Sequence, residues 1–297
     1  MNKLIVILKG GIGNQLFIYA AAKRLALANN AELVLDVISG FKNDHIYKRQ
    51  FQLNHFNIKC RKANSSEILI NLSLFRRAIL FFLNQLRPSN KKIFIRQVQD
   101  EFDQSLLTAI IKGTAYFEGY WQSEEYFKDI EINLRYDLIL KPPKDSMNIL
   151  MYDKIKLFNS IAIHVRFYDA KTALDLNNKL KNYYKKSVDK MKKLIPNGHF
   201  FIFSDNPEEA ILLLDIPFKN FTVVNFNNYD NQEYADILLM SNCKNFILSN
   251  SSFGWWSAWL AESKNNSQFV IVPKYRFDGL VEVPLIDNFY PNRWFLM

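Results

Sequence analysis

Three polar runs sit directly behind apolar ones. His164-Val165-Arg166-Phe167-Tyr168-Asp169 follows Ile161-Ala162-Ile163, Ser204-Asp205-Asn206 follows Phe200-Phe201-Ile202-Phe203, and Ser249-Asn250-Ser251-Ser252-Phe253 follows Phe246-Ile247-Leu248. If the apolar runs are strands of one parallel sheet, these polar ends converge on one crevice, where such sheets bind ligands. A guanidinium fixed at Arg166 suits a bidentate grip on a phosphate. The imidazole of His164 can donate to a phosphate or a base, or it is an internally satisfied histidine at a strand end. Asp169 reads equally as a general base and as a partner for the arginine. The serines at 249, 251 and 252 precede the bulky run Phe253-Gly254-Trp255-Trp256-Ser257-Ala258-Trp259. Hydroxyl capping explains a helix start there, and a diphosphate on that N-terminus explains the density of donors better. Asp205 either caps the helix that starts near Pro207 or accepts paired N–H bonds from a guanine edge. The tryptophans at 255, 256 and 259 read as core.

A second candidate site opens the chain. The buried-strand pattern Leu4-Ile5-Val6-Ile7-Leu8 leads through Gly10-Gly11-Ile12-Gly13-Asn14-Gln15 into a helical pattern from Leu16 to Leu27. Strand, glycine loop and helix in this order bring bare N–H groups and a helix start together, where an anion or a sugar can sit. The spacing is neither G-x-G-x-x-G nor a Walker A loop, so the loop by itself reads equally as a tight turn.

The elements that must hold these residues follow from the same patterning. Helical segments are expected around Asn182–Leu194, Pro207–Leu214, Glu233–Ser241 and Phe253–Glu262, alternating with short β-rich runs at Ser160–Val165, His199–Phe203, Val223-Val224, Phe246–Leu248 and Phe269–Val272. Strands alternating with helices indicate parallel sheets. The proline-stiffened stretch Lys141-Pro142-Pro143-Lys144-Asp145-Ser146 is the clearest break, so the domains are expected over 1–143 and 144–297, each a Rossmann-type α/β unit.

With 297 residues and 49% hydrophobic content, the chain can bury two ordinary cores. Cys60 and Cys243 have no CxxC company, which points to ordinary thiols rather than a disulfide framework or a zinc site. No leader pattern precedes the first strand, and a cytoplasmic location is expected. The net charge of +9 is concentrated, because residues 42–96 hold twelve Lys/Arg against Asp44 and Glu67. Within that segment Ile68–Leu86 is strongly apolar but carries Arg76-Arg77 at its centre, which argues against a spanning helix. Two readings fit. One is a surface helix covering its own core; the other is a basic amphipathic helix at an anionic membrane face or on a lipid-linked substrate. No recognised module supports nucleic-acid binding.

Gly10-Gly11-Ile12-Gly13-Asn14-Gln15-Leu16-Phe17-Ile18-Tyr19-Ala20, Gly119-Tyr120-Trp121-Gln122-Ser123, His164-Val165-Arg166, Phe203-Ser204-Asp205 and Ser249–Leu260, in this order, resemble the bacterial α-1,2-fucosyltransferases of glycosyltransferase family 11. The resemblance runs from the first loop to the Trp-rich helix. It implies a GT-B architecture of two Rossmann-type domains facing a cleft, with GDP-fucose held by the C-terminal domain and a galactose-containing glycan acceptor, in some cases lipid-linked, by the N-terminal one. It further implies an inverting transfer without a metal or other cofactor, in surface polysaccharide (O-antigen) synthesis. By motif position Arg166 and the segment Ser251-Ser252-Phe253 would hold the diphosphate, while His164 and Asp205 would lie near the guanosine; Ser204, Asn250, Gly11 and Gly13 complete the expected donor-binding set. Asn14 would face the transferring sugar, and Arg166, Asp169 and Asn14 would be the catalytic residues. Asp175 and Glu118 stand behind Asp169 as candidate bases. The lack of a DxD-like pair agrees with neutralisation of the leaving diphosphate by positive side chains. One departure stands out: where the family pattern reads His-Val-Arg-Arg-Gly-Asp, this chain has Phe167-Tyr168 in place of Arg-Gly.

Overall fold

The run from Leu4 to Ile7 has no polar position to spare for solvent, and it forms the buried carboxyl-terminal part of strand β1 (Asn2–Ile7), flanked on both sides by other strands. It belongs to a five-stranded parallel sheet with β2 (Ala31–Asp36), β3 (Arg61–Lys62), β4 (Phe94–Arg96) and β5 (Thr114–Glu118), in the order β3-β2-β1-β5-β4. Helix α1 (Ile12–Ala28) is buried continuously from Gln15 to Ala22, as a helix apolar on all sides must be. Phe17 meets Phe127 at 6.2 Å and Phe289 at 6.3 Å between ring centroids. Tyr19 donates to Asp137 at 2.7 Å and Lys23 pairs with the same carboxylate at 2.9 Å, tying α1 to α3 (Glu131–Asp137). A further helix, α2 (Leu74–Gln85), is capped by Ser73.

The computed structural model describes residues 1–88, 91–143, 145–167, 174–227, 232–264, 267–278, 281–285 and 287–297. The strands and helices above belong to a first unit, Met1–Ile139 with Ile286–Phe289; a second comprises Leu140–Leu285 with Tyr290–Met297. The chain changes unit at Ile139–Leu140, just ahead of the proline-stiffened stretch.

The second unit is built on a six-stranded parallel sheet of β6 (Asn159–Val165), β7 (Gly198–Ser204), β8 (Phe221–Val224), β9 (Asn245–Ile247), β10 (Val270–Val272) and β13 (Phe295–Leu296), in the order β13-β10-β9-β6-β7-β8. The hairpin β11 (Tyr275–Asp278) and β12 (Val281–Pro284) stands apart as a two-stranded sheet. Helices α4 (Ser146–Leu157), α5 (Leu174–Leu194), α6 (Pro207–Leu214), α7 (Glu233–Met240) and α8 (Ser252–Glu262) complete the unit. Its core joins Ile161, Ile163, Phe200, Ile202 and Ile247 of the sheet to Tyr184, Val188 and Met191 of α5. Trp255, Trp256 and Trp259 are fully buried in α8, as core residues rather than a ligand platform. Cys60 and Cys243 are free thiols. No helix among the described residues is long and apolar enough to cross a membrane.

In both sheets the chain winds outward from a central strand and then crosses to that strand's other side. In the first, it moves outward from β1 through β2 to β3, crosses to β4 at the opposite edge, and steps back to β5 beside β1. In the second it moves from β6 through β7 to β8 and returns to place β9 beside β6. The β1/β5 and β6/β9 gaps are therefore the switch points at which doubly wound sheets open a crevice for ligands.

Candidate active site

In the second unit the polar runs singled out from the sequence lie at the carboxyl ends of three adjacent strands, β9, β6 and β7. His164 is buried at the end of β6. Its Nδ1 lies 2.9 Å from the Ser249 hydroxyl, its ring stacks on Phe253 at 5.5 Å, and its carbonyl accepts from the Ser249 N–H at 3.0 Å and the Tyr184 hydroxyl at 2.8 Å. Burial, with the charge of Arg166 nearby, pushes its pKa down to about 3. The ring is neutral at physiological pH, and the Ser249 contact is satisfied either by Nδ1 accepting, which leaves Nε2–H to donate, or by Nδ1–H donating, which leaves Nε2 to accept.

Arg166 follows the strand, with its side chain about one quarter exposed, and its Nη1 pairs with Asp205 Oδ2 at 3.0 Å. Asp205 Oδ1 accepts from the Phe167 N–H at 3.1 Å. A single carboxylate at the end of β7 thus fixes both the guanidinium and the backbone that leaves β6. The helix cap beside it is Asn206, which accepts from the Glu209 N–H at 3.3 Å, while Ser204 accepts from the Asn206 N–H at 3.1 Å. Phe167, standing where the family pattern has a second arginine, packs partly buried against the core of the unit, so an apolar environment takes an apolar residue. Asp169 lies outside the described residues.

The third wall is the start of α8. Ser251 caps the helix, its hydroxyl accepting from the Phe253 N–H at 3.3 Å and its carbonyl from the Trp255 N–H at 3.0 Å. Asn250, Ser251, Ser252 and Phe253 are half-buried, so the positive end of the helix dipole stays within reach of a ligand. Gly254 is required by closeness: a Cβ there would stand 3.0 Å from His164 Nδ1 and 3.2 Å from Leu248 Cδ2. Tyr183, in an edge-to-face pair with Tyr184, donates to the Leu248 carbonyl at 2.6 Å. The two tyrosines of α5 brace the ends of β9 and β6 from below, a role that only the doublet Tyr183-Tyr184 hints at in the sequence.

In the first unit Asn14 occupies the first turn of α1, and its Oδ1 accepts from Gln122 Nε2 at 2.8 Å. This bond bridges the β1/β5 switch point, joining the glycine loop behind β1 to the segment behind β5. Gly10 has φ +73°, and a Cβ on it would come within 2.8 Å of the Asn14 amide, so glycine is needed both for the turn and for Asn14 to lie across it. Gly11 is the N-cap and brings no side chain to cap the helix, while Gly13 is buried in the first turn. The buried Gln15 fixes the loop from behind, donating to the carbonyls of Gly10 (2.9 Å) and Gln50 (2.8 Å) and accepting from the Gln52 N–H (3.0 Å). Glu118 is held by Arg96 at 2.9 Å. Gln15 and Gln122 are the residues that motif reading leaves without a role, because Gln122 and two of the three Gln15 bonds reach partners distant in the sequence.

Two parallel Rossmann-type units, each with a polar cluster at its switch point, define the GT-B class of glycosyltransferase fold. Fucosyltransferase NodZ from Bradyrhizobium superposes with a TM-score of 0.54 at 15% identity, covering 96% of this chain and 100% of that one. A variant of Arabidopsis thaliana FUT1 in complex with GDP gives a TM-score of 0.54 at 11% identity, covering 93% of this chain and 71% of that one. The sequence carries the assignment further: the model of Glycosyl transferase family 11 matches residues 3–278, and the chain belongs to that family of glycosyltransferases. An Escherichia coli alpha-1,2-colitosyltransferase is 32% identical over 88% of both chains. The Escherichia coli O-antigen biosynthesis glycosyltransferase WbnK is 28% identical over 92% of this chain and 94% of its own.

Proposed function

We propose that this glycosyltransferase moves L-fucose, with inversion, from GDP-fucose to the 2-hydroxyl of a galactose-type unit in the synthesis of an O-antigen or similar surface polysaccharide. The observation that carries the reading is the cluster at the β6/β9 switch point. There a guanidinium fixed by Asp205, a neutral imidazole and the hydroxyl-rich start of α8 form a cradle suited to a nucleoside diphosphate. In this reaction the acceptor oxygen forms a bond to the anomeric carbon while the bond from that carbon to the β-phosphate oxygen breaks. The electron pair leaves with GDP, and the hydroxyl proton passes to a carboxylate, for which Asp169 is our candidate. Arg166 and the helix start oppose the charge that grows on the leaving diphosphate, which is the largest demand of such a transition state. Activity in EDTA equal to that in added magnesium is the expected sign that no divalent ion is needed. Asn14, held by Gln122, is assigned to the transferring sugar.

A second reading has its own observation. The 32% identity to a colitosyltransferase favours another GDP-linked deoxyhexose as donor with the same 2-hydroxyl attack. Competition between GDP-fucose and GDP-colitose, followed by linkage analysis of the product, tests both. Faster transfer of fucose to a galactose 2-hydroxyl supports the first reading, and transfer of colitose alone replaces it with the second.

A further inference from the structure

Helix α2 carries apolar residues on two opposite sides, and the first unit uses only one of them. On the inner side Leu80 and Phe81 pack against the core formed by Ile5, Ile7, Val34 and Phe94, with Phe81 stacked on Phe94 at 4.6 Å. Asn84 locks the same side, its Oδ1 accepting from the N–H groups of Ile93 at 2.7 Å and Phe94 at 3.0 Å, and its carbonyl accepting from Lys92 Nζ at 2.9 Å. Covering its own core therefore accounts for that face completely. On the outer side Phe75 is 77% exposed, Phe82 65%, Leu86 69%, Ile79 42% and Leu83 41%. At 3.6 residues per turn Phe75, Ile79, Phe82 and Leu83 fall on one stripe with Arg76 along its border, and the C-cap Leu86, in helical conformation, extends it, with Arg87 directly behind the helix. Single exposed apolar residues are ordinary, whereas a continuous stripe marks an interaction surface.

The charge of the segment that carries the stripe selects its occupant. Residues 42–96 carry twelve Lys/Arg against two carboxylates; Glu67 is engaged by Lys3 and Arg61, Arg61 also pairs with Glu32 and Arg96 with Glu118, and the segment stays basic after these pairs. A second copy of the chain would press this basic segment against itself. A neutral protein partner would leave the arginines no counterpart. An anionic bilayer complements both features, because the boundary between headgroups and acyl chains receives Phe and Leu side chains while the headgroup phosphates receive the basic border. We propose that α2 is a docking helix for the surface of an anionic bilayer, inserting Phe75, Ile79, Phe82, Leu83 and Leu86 into the headgroup boundary with Arg76 and Arg87 on lipid phosphates. With 12 residues the helix is too short to span and lies along the surface. Neither element suffices alone, since weak insertion and screened charge each give marginal binding and hold only together.

The test is flotation of the full chain with vesicles of phosphatidylcholine alone and of phosphatidylcholine containing phosphatidylglycerol, at low and high salt. The expected result is binding to the anionic vesicles that fades with salt and is lost on phosphatidylcholine. The double variant Phe75→Ser with Phe82→Ser should bind about ten-fold more weakly while keeping the wild-type thermal transition and its stabilisation by GDP. A double variant that floats like the wild type, or a wild type indifferent to anionic lipid, overturns the proposal. So does a dimer in sedimentation equilibrium that the same substitutions dissolve, which would assign the stripe to a second copy. Because GDP binding is read separately, loss of the docking claim leaves the donor assignment standing, and the reverse holds equally.

Discussion

Lowering the pH should weaken the second unit through His164. Unfolded, this imidazole titrates near 6.5; folded, burial first and the charge of Arg166 second push it down to about 3. Between these values the unfolded chain binds the extra proton, so the contribution is complete above pH 6.5 and is lost as the pH falls toward 3. One pH unit below 6.5, the loss is about 1.4 kcal/mol. The measurement is urea unfolding followed by tryptophan fluorescence, which reports on Trp255, Trp256, Trp259 and Trp294 of that unit together with Trp121 of the first. It is made at pH 8 and at about pH 5.5, for the wild type and for His164→Asn. The variant should be less stable at both pH values, because it loses the ring contact with Phe253. The gap should narrow by about 1.4 kcal/mol at the lower pH, since only the wild type carries the titrating ring. Parallel curves would show that the ring is hydrated and charged in the folded state, and would remove it as a neutral group at the nucleotide site.

Arg166→Ala should lower kcat about 100-fold to 1000-fold at saturating donor, the usual result of deleting a preorganised donor to a developing oxyanion; near-full turnover would take Arg166 out of the mechanism. Asp205→Asn should do part of the same damage through Arg166, which it positions at 3.0 Å, and a loss confined to KM would argue instead for a direct contact with the base. Asp236, which accepts from Asn227 at 2.7 Å, is pushed up to about 7 by burial. A raised folded pKa destabilises as the pH climbs from the unfolded value of 3.8 toward about 7, so Asp236→Asn should stabilise the chain at pH 8 and lose that advantage progressively as the pH falls from about 7 toward about 4. Melting temperatures across this range check the sign.

Where local patterning governs, the sequence is a good guide to this fold. The apolar runs at Ile161, Phe200 and Phe246 are central strands because their neighbours on both sides bury them. Pro207 behind Asn206 starts α6 where proline at the first helical turn and an Asn cap dictate. Helix α5 begins at Leu174, ahead of the Asn182 that periodicity suggests, because the lysine- and asparagine-rich sequence Asn177-Asn178-Lys179-Leu180-Lys181 gives little apolar signal. Strand β13 has two residues, too few for any period, and is fixed by pairing with β10. The site follows the same division. Residue type places Arg166, His164 and the serines at strand and helix ends, but their partners are tertiary. Asn14 and Gln122 are 108 residues apart, and nothing local in the Ser204-Asp205-Asn206 run says that Asp205 serves Arg166 while Asn206 takes the cap.

The central claim is that the β6/β9 switch point of the second unit holds a guanosine diphosphate. Calorimetric titration of the full chain with GDP, ADP and UDP, repeated with Arg166→Ala, tests it directly. Selective binding of GDP that the substitution weakens at least ten-fold, or about 1.4 kcal/mol, is the expected result. Equal affinity for all three nucleotides, or GDP binding untouched by the loss of Arg166, would contradict it.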